Sequence, residues 1–397
     1  MKRLLSILLI FMIVITGTIS YGDSINTYIP VVLRENLRTY ILADFETGEI
    51  LEEHNINEVV EIASISKLMS YLVVMEQVSK GNVSLDDIIT IDKDTTKIKG
   101  SSFKLKVGEV FTVKELLEAA IVISGNDAAY ALSKYVGGTE ENFVKMMNEK
   151  AKEIGIESAV FYNSTGLPIP EKDVQNKMTT KEIFLLSQYI IKKYPEILNI
   201  CSIKSIEQID RNYFELNTNP LLNEIKGVDG LKTGFTNKAG YSYVSTFTIE
   251  GKAGESKDQR LIAIVMGAKD LEKRNIMAKI LVQYGIDNYS HKVFLDKTIP
   301  LKTLDFPKGH ITKVDVFPEK EFSRLIKNDE DITVNLHINE NMKLPIKSGA
   351  VIGRAEVLEN GEIIFETNVL IKEDVIKAKW YIVLMRYIER LFGRGDN

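Results

Sequence analysis

The sequence predicts an α/β fold of the α+β type: an antiparallel central sheet with helices packed against it, then a small all-β domain. Three observations predict it. Residues 38–53 alternate around a Thr47-Gly48 turn, as paired strands do, and residues 228–249 and 259–268 alternate or run apolar in the same way. The sheet therefore draws strands from both ends of one domain. Between them, residues 64–79, 113–135, 139–154 and 179–193 carry the apolar spacing of helices. Near residue 294 the pattern changes to short β-like runs.

At the start, Lys2 and Arg3 precede the apolar stretch Leu4–Ile15, and the small residues Gly17, Thr18, Ser20 and Gly22 follow. That composition predicts an export signal over residues 1–22, cleaved after Ser20 or Gly22, with an uncleaved anchor as the alternative. The stretch is short for a membrane span. No cysteine lies near it, which excludes a lipoprotein anchor.

Residues 23–293 form the main domain, with 23–35 leading into it and 87–112 mixing short strands and turns. Thr112 and Thr139 are N-cap candidates for the helices they precede, and Pro195 stops the helix that opens at Thr179. Residues 274–289 make a last helix. Residues 294–372 form the β-rich domain, read as a spacer, and Asn360-Gly361 is a two-residue hairpin signal within it.

Residues 373–397 differ again. Over 375–394 one helical face carries Ile376, Trp380, Val383, Leu384, Tyr387, Ile388 and Leu391. Lys377, Lys379, Arg386, Arg390 and Arg394 occupy much of the rest. The uninterrupted apolar run Trp380–Met385 is too short to span a bilayer. A basic amphipathic helix with a tryptophan predicts an anchor lying in the membrane surface; a helix docked on its own protein is the alternative.

Composition narrows the function. A net charge of −5 over 397 residues argues against a nucleic-acid binder. The single cysteine, Cys201, allows no internal disulfide and reads as a packing residue. The four histidines, His54, His291, His310 and His337, leave residues 55–290 with none. A Ser-His-Asp triad and a histidine-rich metal site both lack their residues there, and neither a metal nor a cofactor is expected.

What that region does contain is three short motifs in order: Ser64-Ile65-Ser66-Lys67, Ser124-Gly125-Asn126 and Lys232-Thr233-Gly234. A bare S-x-x-K is weak, and Ser101-Ser102-Phe103-Lys104 matches it too. Context separates them. Ser64 follows Ala63 and opens a helical pattern through Leu68, Met69, Leu72 and Val73, whereas Ser101 sits in an alternating segment with no helix after it. A serine hydroxyl is a poor nucleophile without a base. Lys67 lies three residues on, on the same helix face, and a lysine serves as base once burial or a nearby cation depresses its pKa. Lys232, in the third motif, would supply such a cation if the motifs meet in one site. The bland alternative, an ordinary solvated lysine, is disfavoured by the apolar neighbours Leu68 and Met69.

The three motifs, the string Val228–Tyr241 around the third, Phe161–Leu167 and Asn217–Asn219 resemble the serine-type D-alanyl-D-alanine carboxypeptidases, the low-molecular-weight penicillin-binding proteins of bacterial cell walls. The resemblance covers residues 35–290. It implies the penicillin-binding/β-lactamase-like transpeptidase fold and an acyl-enzyme on Ser64. The substrate would be a peptidoglycan pentapeptide ending in D-Ala-D-Ala, and β-lactams would acylate the same serine. It further implies that Ser124 relays a proton to the leaving amine and Asn126 holds the substrate's amide backbone. Lys232 and Thr233 would bind the terminal carboxylate, with Arg260 assisting. Gly234 would let the substrate approach the strand edge. The N–H groups of Ser64 and Phe235 would form the oxyanion hole.

Phe235 stands where many relatives carry a small polar residue or histidine, Thr165 where some have histidine or proline, and Glu182 where aspartate is common. For Arg260 the alternative is a surface salt bridge. Two rival functions remain. A class A β-lactamase needs a glutamate where this chain has Pro195, with Glu196 one residue out of register. A catalytically silent wall-binding protein would keep the fold without the motif residues, and here they are all present.

Overall fold

The structure is a computed structural model that describes residues 21–339 and 341–391. The export signal expected at 1–22 lies almost wholly outside the described residues; Tyr21 and Gly22 open the first helix, α1 (Tyr21–Asn36). The central sheet has five antiparallel strands in the order Ile50–His54, Thr39–Asp44, Gln259–Ala268, Gly240–Ile249, Val228–Thr236. Both ends of the domain contribute, as the alternation predicts.

The Thr39–Asp44 strand is buried along its whole length because both faces are covered. Ile41 and Ala43 face one core, which they share with α2 (Lys67–Ser79), α3 (Val113–Val122), α4 (Asn126–Gly137), α5 (Glu140–Glu153), α6 (Thr180–Lys193) and the short α7 (Ile197–Cys201). Tyr40 and Leu42 face the other core, formed with α1 and α8 (Leu271–Asn288). Thr112 and Thr179 each close a capping box with the glutamate three residues on, Glu115 and Glu182, and Thr139 caps α5. Glu182 thus has a structural task.

Two helices depart from the sequence reading. The helix expected over 113–135 breaks at Ser124-Gly125, where Ser124 takes a left-handed φ of 61° and α4 restarts at Asn126. The break sets Ser124 and Asn126, both buried, on the wall of a cleft. The helix expected over 375–394 begins only at Trp380, as α9 (Trp380–Leu391). Upstream of it Val375 is buried and exchanges both backbone hydrogen bonds with Ile346, at 2.8 and 2.9 Å, so tertiary pairing overrides helical periodicity.

The β-rich region holds a five-stranded antiparallel sheet with its own apolar cluster, including Val316, Val357 and Val369. Asn360 and Gly361 both have positive φ, the geometry of a two-residue hairpin turn. The Tyr289–Leu295 strand pairs with both Ser256–Lys257 and Phe322–Lys327, tying this region to the main domain and straddling the boundary expected at 294. Among the described residues, no helix is long and apolar enough to cross a membrane.

Candidate active site

Ser64 sits in a single 3-10 turn, Ala63–Ser66, and α2 starts one turn later, at Lys67. A three-residue spacing stacks side chains in such a turn, so the pair still meets. Lys67 Nζ lies 2.9 Å from Ser64 Oγ, 2.6 Å from Asn126 Oδ1 and 3.0 Å from the Thr165 carbonyl. Two of these partners can only accept. A neutral amine has two N–H bonds and one lone pair, so it satisfies both acceptors and turns its lone pair to the Ser64 hydroxyl. Burial, first, and the charge of Lys232, second, hold Lys67 well below the ordinary lysine range; Asp127 pulls the other way.

The turn is clamped from behind by the Phe161–Leu167 loop. Asn163 Oδ1 accepts from the backbone of Thr165 and Gly166, and Asn176 Nδ2 donates to Ser66 Oγ and the Asn163 carbonyl. Gly166 has φ +83°, and a Cβ there would lie 1.8 Å from the Ala63 carbonyl oxygen. Gly234 also serves this turn: its Cβ would meet Ile62 O at 3.0 Å and Ile65 Cγ1 at 3.3 Å. Its lack of a side chain seats the strand on the nucleophile turn, a close contact beyond the substrate approach expected of it. On the opposite wall buried Asp127 accepts from Ser102 Oγ and the Phe103 N–H, which fixes the Gly100–Leu105 loop. The decoy pair is separated there: Ser101 is exposed on the rim and Lys104 points over the Tyr213 ring.

The cleft encloses about 460 Å³, and Ser64, Ser124, Asn126, Thr233, Gly234 and Phe235 all line it. Lys232 lies buried beneath, its Nζ donating to the Thr233 carbonyl at 3.1 Å. Burial pushes Lys232 down to about 7, and the charge of Arg274 adds to this. Arg260 does not reach the cleft. It makes a two-pronged salt bridge to Asp229, both contacts at 2.7 Å, and donates to Thr246 Oγ1. The register places it opposite Thr248, far along the sheet from Lys232, which pairs with Val244. The salt-bridge alternative is the correct one.

The arginine in the cleft is Arg274, on the first turns of α8, which the sequence reading missed. It is 6% exposed, burial pushes it down to about 10, and its guanidinium donates to Asn275 Oδ1. Among the described residues no carboxylate pairs with Arg274 or Lys232, and none lines the cleft. Buried cations without a counter-ion make a site for an anion. Glu196, the near miss of the β-lactamase reading, stands at the head of α7 and also does not line the cleft.

The sequence profile of the D-alanyl-D-alanine carboxypeptidase family matches residues 33–270. The chain belongs to that family. The profile of the C-terminal domain of penicillin-binding protein 5 matches residues 289–377 of the same chain. The carboxypeptidase is 30% identical to Bacillus subtilis D-alanyl-D-alanine carboxypeptidase DacF, over 97% of this chain and 98% of that one. Its fold matches Haemophilus influenzae penicillin-binding protein 5 at a TM-score of 0.63, with 26% identity over 86% of this chain and 98% of that one. It also matches Listeria monocytogenes penicillin-binding protein D2 in its ampicillin-bound form at a TM-score of 0.55, with 33% identity over 63% of this chain and 97% of that one.

Proposed function

We propose that the carboxypeptidase removes the terminal D-alanine from peptidoglycan pentapeptides through an acyl-enzyme on Ser64. One observation carries this: a buried lysine amine, held by two acceptors, aims its remaining valence at a serine hydroxyl in an open cleft. Lys67 takes the proton as Ser64 Oγ attacks the carbonyl carbon of the penultimate D-alanine. The N–H groups of Ser64 and Phe235 hold the oxyanion. The C–N bond then breaks, and the proton passes through Ser124 to the departing amine. Water, deprotonated by Lys67, cleaves the ester and returns Ser64. Asn126 holds both the Lys67 amine and the substrate amide. Lys232, Thr233 and Arg274 take the terminal carboxylate. The test is free D-alanine from a pentapeptide ending in D-Ala-D-Ala; intact substrate after prolonged incubation would overturn the reading.

β-Lactams place a carboxylate and an acyl carbonyl at the same spacing and acylate Ser64 in the same way, in line with the ampicillin held by the Listeria protein. Among the described residues no carboxylate lines the cleft, so Lys67 is the base that activates a deacylating water. A β-lactam opens without releasing its amine half, which stays tethered in the cleft and shields the ester from that water, so the adduct is long-lived.

The pH dependence follows from the lysines. Lys232 must be charged to bind a carboxylate, and its folded value is about 7. In the free enzyme it loses its proton above that pH, so kcat/KM falls on the alkaline side with an apparent value of about 7, while kcat, set in the complex, holds. Steady-state rates from pH 6 to 9 check this. For stability the sign is the same for both buried lysines: the unfolded chain binds the proton more tightly. Stability therefore rises with pH, for Lys232 between about 7 and 10.5, and is lost as pH falls.

The family acts on cell-wall peptides, outside the cytoplasm, and the outer face of the cytoplasmic membrane suits α9. Arg386 on its polar side donates to the Gly309 and His310 carbonyls, while Trp380, Tyr387 and Leu391 remain 76, 63 and 67% exposed. An apolar face held outward on a basic helix binds an anionic bilayer surface. Removing residues 380–397 leaves the Val375–Ile346 pairing intact, so the shortened enzyme stays folded, leaves the membrane fraction and still takes penicillin. Retention on the membrane would place the tether elsewhere.

A further inference from the structure

Two cavities meet at one aromatic pair. The active-site cleft and a neighbouring recess of about 470 Å³ are both lined by Phe235 and Tyr241, whose rings stack with centroids 4.0 Å apart. The recess beyond the pair carries Arg38, Lys238 and Lys269. Arg38 is paired with Glu58 and Glu61 and Lys238 with Asp173. On the cleft side Leu271, 51% exposed, lies on the same wall as Arg274.

We propose that the Phe235–Tyr241 stack, continued by Leu271, sets the size of the terminal residue this enzyme releases. The inference rests on the reading above that Lys232, Thr233 and Arg274 hold the terminal carboxylate. The carboxylate and the side chain of the released residue leave the same carbon. A residue anchored at Arg274 must therefore lay its side chain against the adjoining wall, which is Phe235, Tyr241 and Leu271. A methyl group fits beside it. A long side chain, such as one bearing a second peptide, needs the volume that the Phe235 ring occupies. Without that ring the cleft opens into the recess, which has polar walls and room for a larger, charged group. Phe235 is 47% exposed, so its truncation leaves no buried void and keeps the backbone N–H in place.

The experiment compares kcat/KM for two acyl peptides, one ending in D-Ala-D-Ala and one in D-Ala-D-Lys acetylated on its side-chain amine. The wild type should favour D-alanine by at least about tenfold, the range that one mismatched apolar contact can supply. Phe235→Ala should bring the ratio to within about twofold, and Phe235→Tyr should restore it. Leu271→Ala should narrow it part-way, which keeps the test open if Phe235→Ala loses all activity. An unchanged ratio in Phe235→Ala or Leu271→Ala, with D-Ala-D-Ala still hydrolysed, overturns the wall. So does a wild type that takes both peptides equally. A wild type that releases no D-alanine overturns the carboxypeptidase reading instead.

Discussion

Ser64→Ala loses D-alanine release by a factor of at least about 10⁴ and loses labelling by a fluorescent penicillin, because its hydroxyl is the one that Lys67 touches in the cleft. Ser101→Ala is still labelled, since its motif partner Lys104 points away over Tyr213. Lys67→Arg keeps the charge but cannot shed its proton near neutral pH. It should fold, keep the Ser64 hydroxyl, and acylate slower by about 10²–10⁴-fold, the usual contribution of a positioned base. Stopped-flow acylation of the three variants by a fluorescent penicillin checks all of this. Labelling of Ser64→Ala with loss in Ser101→Ala would reverse the assignment of the two S-x-x-K motifs.

Gly166→Ala should damage the enzyme without touching any reacting atom. The new methyl would sit 1.8 Å from the Ala63 carbonyl, one residue before the nucleophile. Either the Ala63–Ser66 turn or the Thr165 carbonyl that holds Lys67 must move. A displacement of about 1 Å at such a site costs about 10²-fold in rate. The backbone strain of an alanine at φ +83° adds about 1–3 kcal/mol of lost stability. Gly155→Ala separates the two effects: its φ is +76°, and nothing lies within 4 Å of the added carbon. That variant should melt somewhat lower and acylate normally. If Gly166→Ala acylated as fast as Gly155→Ala, the loop would have no part in placing Ser64.

These contrasts also mark what the sequence could reveal. The nucleophile and base were legible because they are neighbours in the chain, and a three-residue spacing brings them together in an α-helix and a 3-10 turn alike. The strands were legible as short runs rich in apolar and β-branched residues bounded by turn residues, which a sheet covered on both faces requires. Arg274 was not, because its place in the cleft depends on where α8 leaves the sheet, and nothing local distinguishes it from Arg260. The charge of Arg260 is cancelled by Asp229, a partner brought across two strands by the register. The helix break at Ser124 lies between two apolar helical stretches of residues 113–135, and its local sign was the short polar run Ser124-Gly125-Asn126-Asp127. Phe161–Leu167 stood out by resemblance, yet its task, a carbonyl for Lys67 and a bare glycine against Ala63, exists only in three dimensions.

Lys67 should rest neutral beside Ser64. Nuclear magnetic resonance of the enzyme labelled with carbon-13 at the lysine Cε positions tests it directly, with Lys67→Arg and Lys232→Arg assigning the two buried signals. The Lys67 signal should titrate well below 10.5, the ordinary lysine value, and be already neutral where surface lysines are still charged. A Lys67 signal that titrates together with the surface lysines would contradict it.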